Sequence, residues 1–216
     1  VDLCLAVCAA ALLTQFDEAQ TRSRNRREKR RPPAMGQERF SLITLTTQDA
    51  LLRPFTPNDA ADLFHITNQP GIMQYFPNPN PPTRERIDRL IKLQIEHWNQ
   101  HGYGWWAVVF RDTNQLIGWC GLQYLPDTGE IEVGYLIDRH FWNQGITTAA
   151  AVASLKFGFL DLEIPVIIGI THPDNLASQR VLLKSGLAPT GPSHYFCMDC
   201  LRFSAERDSW REQMAC

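Results

Sequence analysis

The stretch GEIEVGYLIDRHFWNQGITTAA, residues 129–150, decides the fold because it joins a strand, a glycine-bearing loop and the start of a helix. Every second residue from Ile131 to Ile137 is apolar or aromatic, which predicts a strand with one apolar face. Glu130 and Glu132 fall on the other face, so this strand carries carboxylates. The alanine-rich run after Gly145 predicts a helix.

The loop at residues 143–148 is predicted to form an anion site. The first turn of a helix leaves about four backbone N–H groups unpaired, and the helix dipole adds roughly half a positive charge there. Gly145 allows the backbone to approach an anion closely. The alternative is an ordinary strand–loop–helix connection capped by its own threonines, and this stretch alone favours neither interpretation.

A second strand–helix unit follows the first. Residues 165–170 are apolar throughout, as in a strand buried on both faces, and residues 171–191 read THPDNLASQRVLLKSGLAPTG. Asn175 is the predicted N-cap of the second helix, and Ser185 with Gly186 is predicted to end it. The predicted order is therefore strand, helix, strand, helix.

Two motifs in these units resemble the GNAT superfamily of N-acetyltransferases. WNQGITTAA lies at residues 142–150, and N-x-x-S-x-x-V-L-x-K-x-G lies about 30 residues later, at 175–186, in the order and on the elements typical of the family. Trp142 is typical of the ribosomal-protein N-terminal (alanine/serine) acetyltransferase branch. The likeness covers about residues 43–210.

The resemblance implies an α/β fold of three α/β/α layers around a mixed, mostly antiparallel sheet of six or seven strands. The remaining elements are expected as a first strand and helix over residues 43–65, a helix over 83–100, strands over 102–111 and 115–125, and a closing strand over 200–210. The implied activity is transfer of an acetyl group from acetyl-CoA to a primary amine, by direct attack through a tetrahedral intermediate.

The resemblance also assigns residues to the cofactor. Backbone amides of the loop would bind the pyrophosphate, pantetheine would pair with the end of the strand where the sheet splays apart, and the second helix would face the cofactor. In that order these residues are Asn143, Gln144, Gly145, Ile146, Thr147 and Thr148; Leu136, Ile137 and Asp138; and Asn175 and Ser178. Gly134 is well placed for a kink at the splay, and the alternative is that this glycine only relieves packing.

Glu132 is the predicted general base, because many family members use a glutamate on this strand to take a proton from the acceptor ammonium. Glu130 is the rival on the same face, and both could simply be exposed carboxylates. The family often protonates the departing thiolate with a tyrosine, but that position holds Leu182. Ser178, Tyr195 or water remain as candidates for this role.

The aromatic residues Tyr103, Trp105, Trp106, Trp119 and Tyr124 crowd two neighbouring predicted strands. They favour either an aromatic acceptor pocket or simple core packing. Because alternation places Trp105 and Trp106 on opposite faces, we expect at most one of them in the core.

Composition indicates one globular domain with an acidic body. The 216 residues are 44% hydrophobic, and the formal net charge is −2. Residues 1–34 hold seven Lys or Arg against four Asp or Glu, which leaves 14 against 19, or −5, for the rest. An acidic surface favours a cationic amine or a basic protein tail as acceptor and argues against nucleic acid. The domain is expected to be a monomer or a homodimer.

Residues 1–34 are predicted to be a disordered extension before the acetyltransferase domain at 35–216. The basic run at 22–31 is typical of a solvated tail, with a nuclear signal or an RNA-binding arm as alternatives. The apolar run at 3–13 is too short to span a bilayer, and basic residues follow it rather than precede it, so a cytoplasmic protein is expected. Because the chain starts at Val1 and Met35 precedes the family-like region, the extension is interpreted as an upstream-extended reading frame.

The six cysteines do not predict a metal site. Cys197 and Cys200 have the C-x-x-C spacing, but no second ligand pair accompanies them. We therefore expect no metal, and thiols without disulfides.

Two other classes of function compete with the acetyltransferase. One is a non-catalytic CoA-binding sensor, in which Leu182 reflects lost chemistry. The other is a ribosome- or RNA-associated protein that uses the basic run. No membrane partner is expected.

Overall fold

The computed structural model describes residues 43–214. The predicted extension at 1–34, with its basic and apolar runs, lies outside the described residues, as does Cys216.

The described chain forms eight strands and five α-helices. The strands are β1 (Leu45–Thr46), β2 (Ala50–Arg53), β3 (Trp105–Phe110), β4 (Gln115–Leu125), β5 (Glu130–Ile137), β6 (Val166–Thr171), β7 (Ala188–Tyr195) and β8 (Met198–Glu206). The helices are α1 (Ala60–Thr67), α2 (Arg84–His101), α3 (Ile146–Lys156), α4 (Leu176–Lys184) and α5 (Arg207–Met214).

All eight strands form one sheet in the order β1-β2-β3-β4-β5-β6-β8-β7. Its pairs are antiparallel except for β5 with β6, which run parallel. Helices α1 and α2 pack on one face through residues such as Leu63 and Leu90. Helices α3, α4 and α5 pack on the other through Ala150, Leu182 and Trp210. The predicted three-layer, mostly antiparallel fold is confirmed.

The sheet has eight strands rather than six or seven, because the sequence pattern does not indicate the two edge strands. β1 has only two residues, and β7 contains Pro189 and Pro192, which argue against a strand except at a sheet edge. The expected closing strand also ends early, at Glu206, and helix α5 begins at Arg207.

Trp105 and Trp106 both lie in the core, 4% and 0% exposed, so the expectation that only one would be buried is wrong. Helices cover both faces of the sheet, and each indole packs in its own layer. Trp106 packs on the α3 side, and its Nε1 donates to the Ile43 carbonyl at 3.0 Å. Trp105 packs on the α2 side and stacks on Trp119 with ring centroids 3.7 Å apart.

The sheet opens between its two parallel strands. β5 and β6 are paired at the register position Glu132 with Ile168, whereas β4 follows β5 over its whole length, from Leu125 with Glu130 to Gly118 with Ile137. The carboxyl-terminal half of β5 therefore borders a gap rather than a neighbouring strand on that side.

Candidate active site

A cleft of about 650 Å³ occupies this gap. Its walls are β5, β6, the amino-terminal ends of α3 and α4, and part of the segment between α1 and α2. Apolar and aromatic side chains including Tyr75, Phe76, Trp105, Trp119 and Phe196 line it together with many polar side chains. A concave site that combines apolar walls with polar groups is the usual form of a small-molecule binding site.

The amino terminus of α3 opens into the cleft as a cradle of backbone amides. Gly145 is the N-cap with φ of 82°, and apart from its own neighbours in the chain no described atom lies within 4 Å of the position of a Cβ built on it. The first backbone hydrogen bond of the helix runs from Ala149 N–H to the Gly145 carbonyl, 2.9 Å. The N–H groups of Ile146, Thr147 and Thr148 precede that bond, so the cradle fits a phosphate group.

Three hydrogen bonds hold the loop before α3 in place. Trp142 Nε1 donates to the Ile137 carbonyl at 2.7 Å, and Gln144 Nε2 donates to the His140 carbonyl at 2.9 Å. Asp138 accepts from the His140 backbone N–H at 2.9 Å. Burial opposes ionisation of Asp138, yet the hydrogen bonds from His140 hold its pKa below the usual value.

Glu132 lies buried in the cleft wall, 7% exposed. Gln123 Nε2 donates to its carboxylate at 3.1 Å. Burial raises the pKa of Glu132 to about 8, although the hydrogen bonds from Gln123 and from the Ile170 backbone work against this shift. Glu132 is therefore not an exposed strand carboxylate, and near neutral pH it can both take up and release a proton.

Glu130 has a different environment, although it lies on the same face two residues away. Arg202 donates to its carboxylate from Nε at 3.2 Å and from Nη2 at 2.8 Å, and the Tyr195 hydroxyl donates at 2.6 Å. Burial would raise the pKa of Glu130, but these hydrogen bonds hold it below the usual value. Neither Glu130 nor Tyr195 is among the residues that line the cleft.

The first turn of α4 contributes Asn175 and Ser178 to the cleft. The Asn175 side chain accepts from the Ser178 N–H at 3.0 Å, which confirms the predicted N-cap. Leu182, in contrast, is 1% exposed and packs in the core, where its Cδ2 would lie 2.4 Å from a Cβ built on Gly169. Its side chain belongs to the core around α3.

Comparison with known proteins identifies the family. The acetyltransferase (GNAT) domain family matches residues 49–188 of this chain. The chain belongs to the GNAT family of acetyltransferases. The family prediction is confirmed, and acetyl transfer is the activity of this enzyme.

Relatives of this GNAT enzyme occur in bacteria and fungi. YkkB of Bacillus subtilis strain 168 is 31% identical over 151 residues, which cover 66% of this chain and 84% of YkkB. The FsC-acetyl coenzyme A-N(2)-transacetylase of Aspergillus fumigatus is 30% identical over 158 residues, which cover 67% of this chain and 64% of that enzyme.

Solved structures share the GNAT fold. An acetyltransferase of the GNAT family from Bacillus anthracis superimposes with a TM-score of 0.67 at 21% identity and covers 77% of this chain and 99% of its own. RimL, a ribosomal α-N-protein acetyltransferase solved in complex with coenzyme A, gives a TM-score of 0.66 at 18% identity over 77% of this chain and 99% of RimL.

The GNAT cleft brings most of the predicted cofactor residues together. Those that line it are Leu136, Ile137, Asn143, Gly145, Thr147, Thr148, Asn175 and Ser178. Three do not. Asp138 and Gln144 instead hold the turn around His140, and the Ile146 side chain is buried in the core, so only its amide can serve the cradle.

Tyr195 is the catalytic candidate that the structure removes from the GNAT cleft. Its hydroxyl donates a hydrogen bond to the Glu130 carboxylate at 2.6 Å. Tyr195 is the last residue of β7, the edge strand beside β8. Glu132 and Ser178, the other two candidates, both line the cleft.

Sequence reasoning missed several polar residues of the cleft, and among them are Gln123 and Tyr135. Gln123 pairs with Glu132 across the β4–β5 hairpin, a register that the turn between these strands could have indicated. Tyr135 lies within the deciding stretch, but its alternation with Val133 and Ile137 favoured a purely apolar role.

Gly134 does not interrupt the sheet. It stays in register opposite Gly121, with no bulge between β4 and β5. A Cβ at Gly134 would lie 3.3 Å from the Trp119 ring and 3.8 Å from Trp105 Nε1, so this glycine makes room for the stacked indoles.

Over residues 43–214, no cluster of three or more His, Cys, Asp or Glu side chains could hold a metal ion. No disulfide joins Cys120, Cys197 or Cys200. Among the helices in this part of the chain, none is both long and apolar enough to cross a membrane.

Proposed function

We propose that this enzyme transfers an acetyl group from acetyl-CoA to a primary amine, by direct attack through a tetrahedral intermediate. The observation that carries the proposal is the buried Glu132, which lies in the same cleft as the amide cradle of α3. One group can accept a proton there, and the other can hold a phosphate.

Acetyl-CoA supplies the activated acetyl group. The amides of residues 143–148 hold its pyrophosphate, and pantetheine runs along the open edge of β5 up to Ile137, because β6 has diverged there. Asn175 and Ser178 face the cofactor from the opposite wall.

Glu132 is the general base in this proposal. An amine attacks a thioester only after it loses the proton of its ammonium form. The pKa of about 8 for Glu132 lies close to the value of roughly 8 that is typical of α-amino groups and about two units below that of a lysine amine. Proton transfer from an α-amino group is therefore nearly balanced, which supports an N-terminal amine as acceptor.

A small-molecule amine is the second candidate acceptor. The A. fumigatus relative is named as an N(2)-transacetylase, whereas RimL is named as a ribosomal L7/L12 α-N-protein acetyltransferase. The acidic composition of the domain suits a cationic acceptor of either kind.

An acceptor screen tests the proposal. Purified enzyme and acetyl-CoA are incubated with peptides that carry a free N-terminus, with the same peptides blocked at the N-terminus, and with polyamines. Release of the CoA thiol and product mass are then measured. We expect turnover with free N-termini and little with blocked ones. Tight CoA binding without turnover on any amine would contradict the proposal and favour a non-catalytic module.

A further inference from the structure

A hydrogen-bonded pair crosses the cleft between β5 and α4. The Tyr135 hydroxyl lies 2.9 Å from Ser178 Oγ and 3.1 Å from the Ser178 carbonyl oxygen. Both side chains line the cleft. Because β5 and β6 part beyond Glu132, this pair joins the two walls where the sheet does not.

Ser178 is the only residue of α4 that carries a hydroxyl. Its backbone N–H already donates to Asn175, which fixes the first turn of the helix. Its side chain has no such local constraint, and a serine hydroxyl can rotate among several partners. The direction of the Ser178 hydroxyl hydrogen therefore depends on the groups that surround this side chain.

Tyr135 is suited to that task. Burial raises the pKa of its phenol, so the hydroxyl keeps its hydrogen at any pH at which the enzyme works. The Ser178 carbonyl can only accept this hydrogen, and Ser178 Oγ lies equally within its reach; when the hydrogen is shared between these two oxygens, the serine hydrogen is left to point into the cleft. A group that holds its proton this firmly acts as a fixed donor and not as a source of protons.

We propose that Tyr135 is a positioning residue that orients the Ser178 hydroxyl toward the departing sulfur of coenzyme A. This inference rests on the acetyl transfer proposed above. When the tetrahedral intermediate collapses, the C–S bond breaks and its electron pair stays on sulfur. The Ser178 hydroxyl donates a hydrogen bond to that sulfur. The second proton of the amine nitrogen passes to solvent, and the thiolate is protonated from solvent.

The substitution Tyr135→Phe tests the inference, because it keeps the ring and removes only the hydroxyl. We expect kcat to fall about tenfold, as for loss of one hydrogen bond that forms in the transition state, while KM for acetyl-CoA changes less than twofold. Tyr124→Phe removes a hydroxyl from β4 outside the cleft and serves as the matched control, with kcat unchanged.

A double-mutant cycle separates positioning from a structural role. Ser178→Ala removes the hydroxyl that Tyr135 would orient and keeps the bond from Tyr135 to the carbonyl of residue 178, so the double variant should be no slower than Ser178→Ala alone. Losses that multiply, or a Tyr135→Phe enzyme as fast as wild type, would overturn the inference while leaving acetyl transfer intact. A wild-type enzyme that acetylates no amine would instead overturn the proposed function, and the inference with it.

Discussion

Two regions meet along β5, and they use the same residue type in opposite ways. At the hairpin end, Glu130 is tied to Arg202 and Tyr195, which hold its pKa below the usual value. In the cleft region, Glu132 has an amide partner in place of a cation, and burial raises its pKa to about 8. The difference shows that the partner, and not the strand position, decides whether a carboxylate stabilises structure or moves protons.

The largest expected effect comes from exchanging the Glu132 carboxylate for an amide. Glu132→Gln should lower kcat about 100-fold or more, since it removes the base. In the wild type the base works only when ionised, so kcat should rise with pH through about 8. In the variant any remaining rise should follow only the ionisation of the acceptor amine, so an acceptor with an amine pKa of about 10 separates the two. The measurement is a pH–rate profile from pH 6 to 10 with the best acceptor from the screen.

Glu130→Gln is the matched control, on the same strand and face. Because Glu130 lies outside the cleft, its variant should retain the ascending limb and stay within about threefold of the wild-type rate. If the two variants lost activity equally, the contrast between the two regions of β5 would be lost.

The contrast between these glutamates also shows where sequence reasoning ends. Period-two alternation placed both on one face, and the structure has them there. Their partners could not be predicted, because Arg202 lies 72 residues from Glu130 and is brought near only by pairing within the β7–β8 hairpin and of β8 with β6. The same holds for Tyr135 and Ser178, which are 43 residues apart.

The amide cradle was predictable for the opposite reason, since it depends on neighbours in the chain. The strand, Gly145 and the helix after it are contiguous, so local propensity and capping preferences were enough to place them. The two prolines of β7 show the limit of the same method, because local preference alone argued against a strand that the sheet edge accepts.

A pair of glycines extends the comparison to the backbone. Gly145 in the cradle has φ of 82° and Gly191 in β7 has φ of 115°, and apart from the chain neighbours no described atom lies within 4 Å of a Cβ built on either. Gly145→Ala and Gly191→Ala should therefore each cost about 1 kcal/mol of stability, from strain alone. Only Gly145→Ala should raise KM for acetyl-CoA, by about tenfold, because its methyl group stands in the cradle.

Thermal unfolding and initial rates measured on both glycine variants check this prediction. The stability losses should be similar and the KM values different. An unchanged KM in Gly145→Ala would show that the pyrophosphate does not approach this part of α3. A raised KM in Gly191→Ala would show that the hairpin region takes part in cofactor binding.

The smallest effect is expected from a substitution that disturbs only the ion pair between Arg202 and Glu130 at the hairpin end of β5. Arg202→Met should destabilise the fold by about 1 kcal/mol at pH 7, the value typical of a partly exposed ion pair, with activity within twofold of wild type. The lowered pKa of Glu130 means that its stabilising contribution is present above the pKa of the unfolded chain. This contribution is lost as the pH falls through the pKa of Glu130 in the folded protein, because protonation removes the charge that Arg202 binds.

The difference in free energy of unfolding between wild type and variant, measured by urea denaturation, should therefore shrink below about pH 4. A difference that stayed constant down to pH 3 would mean that Arg202 stabilises β8 through packing of its alkyl chain and not through the charge of Glu130.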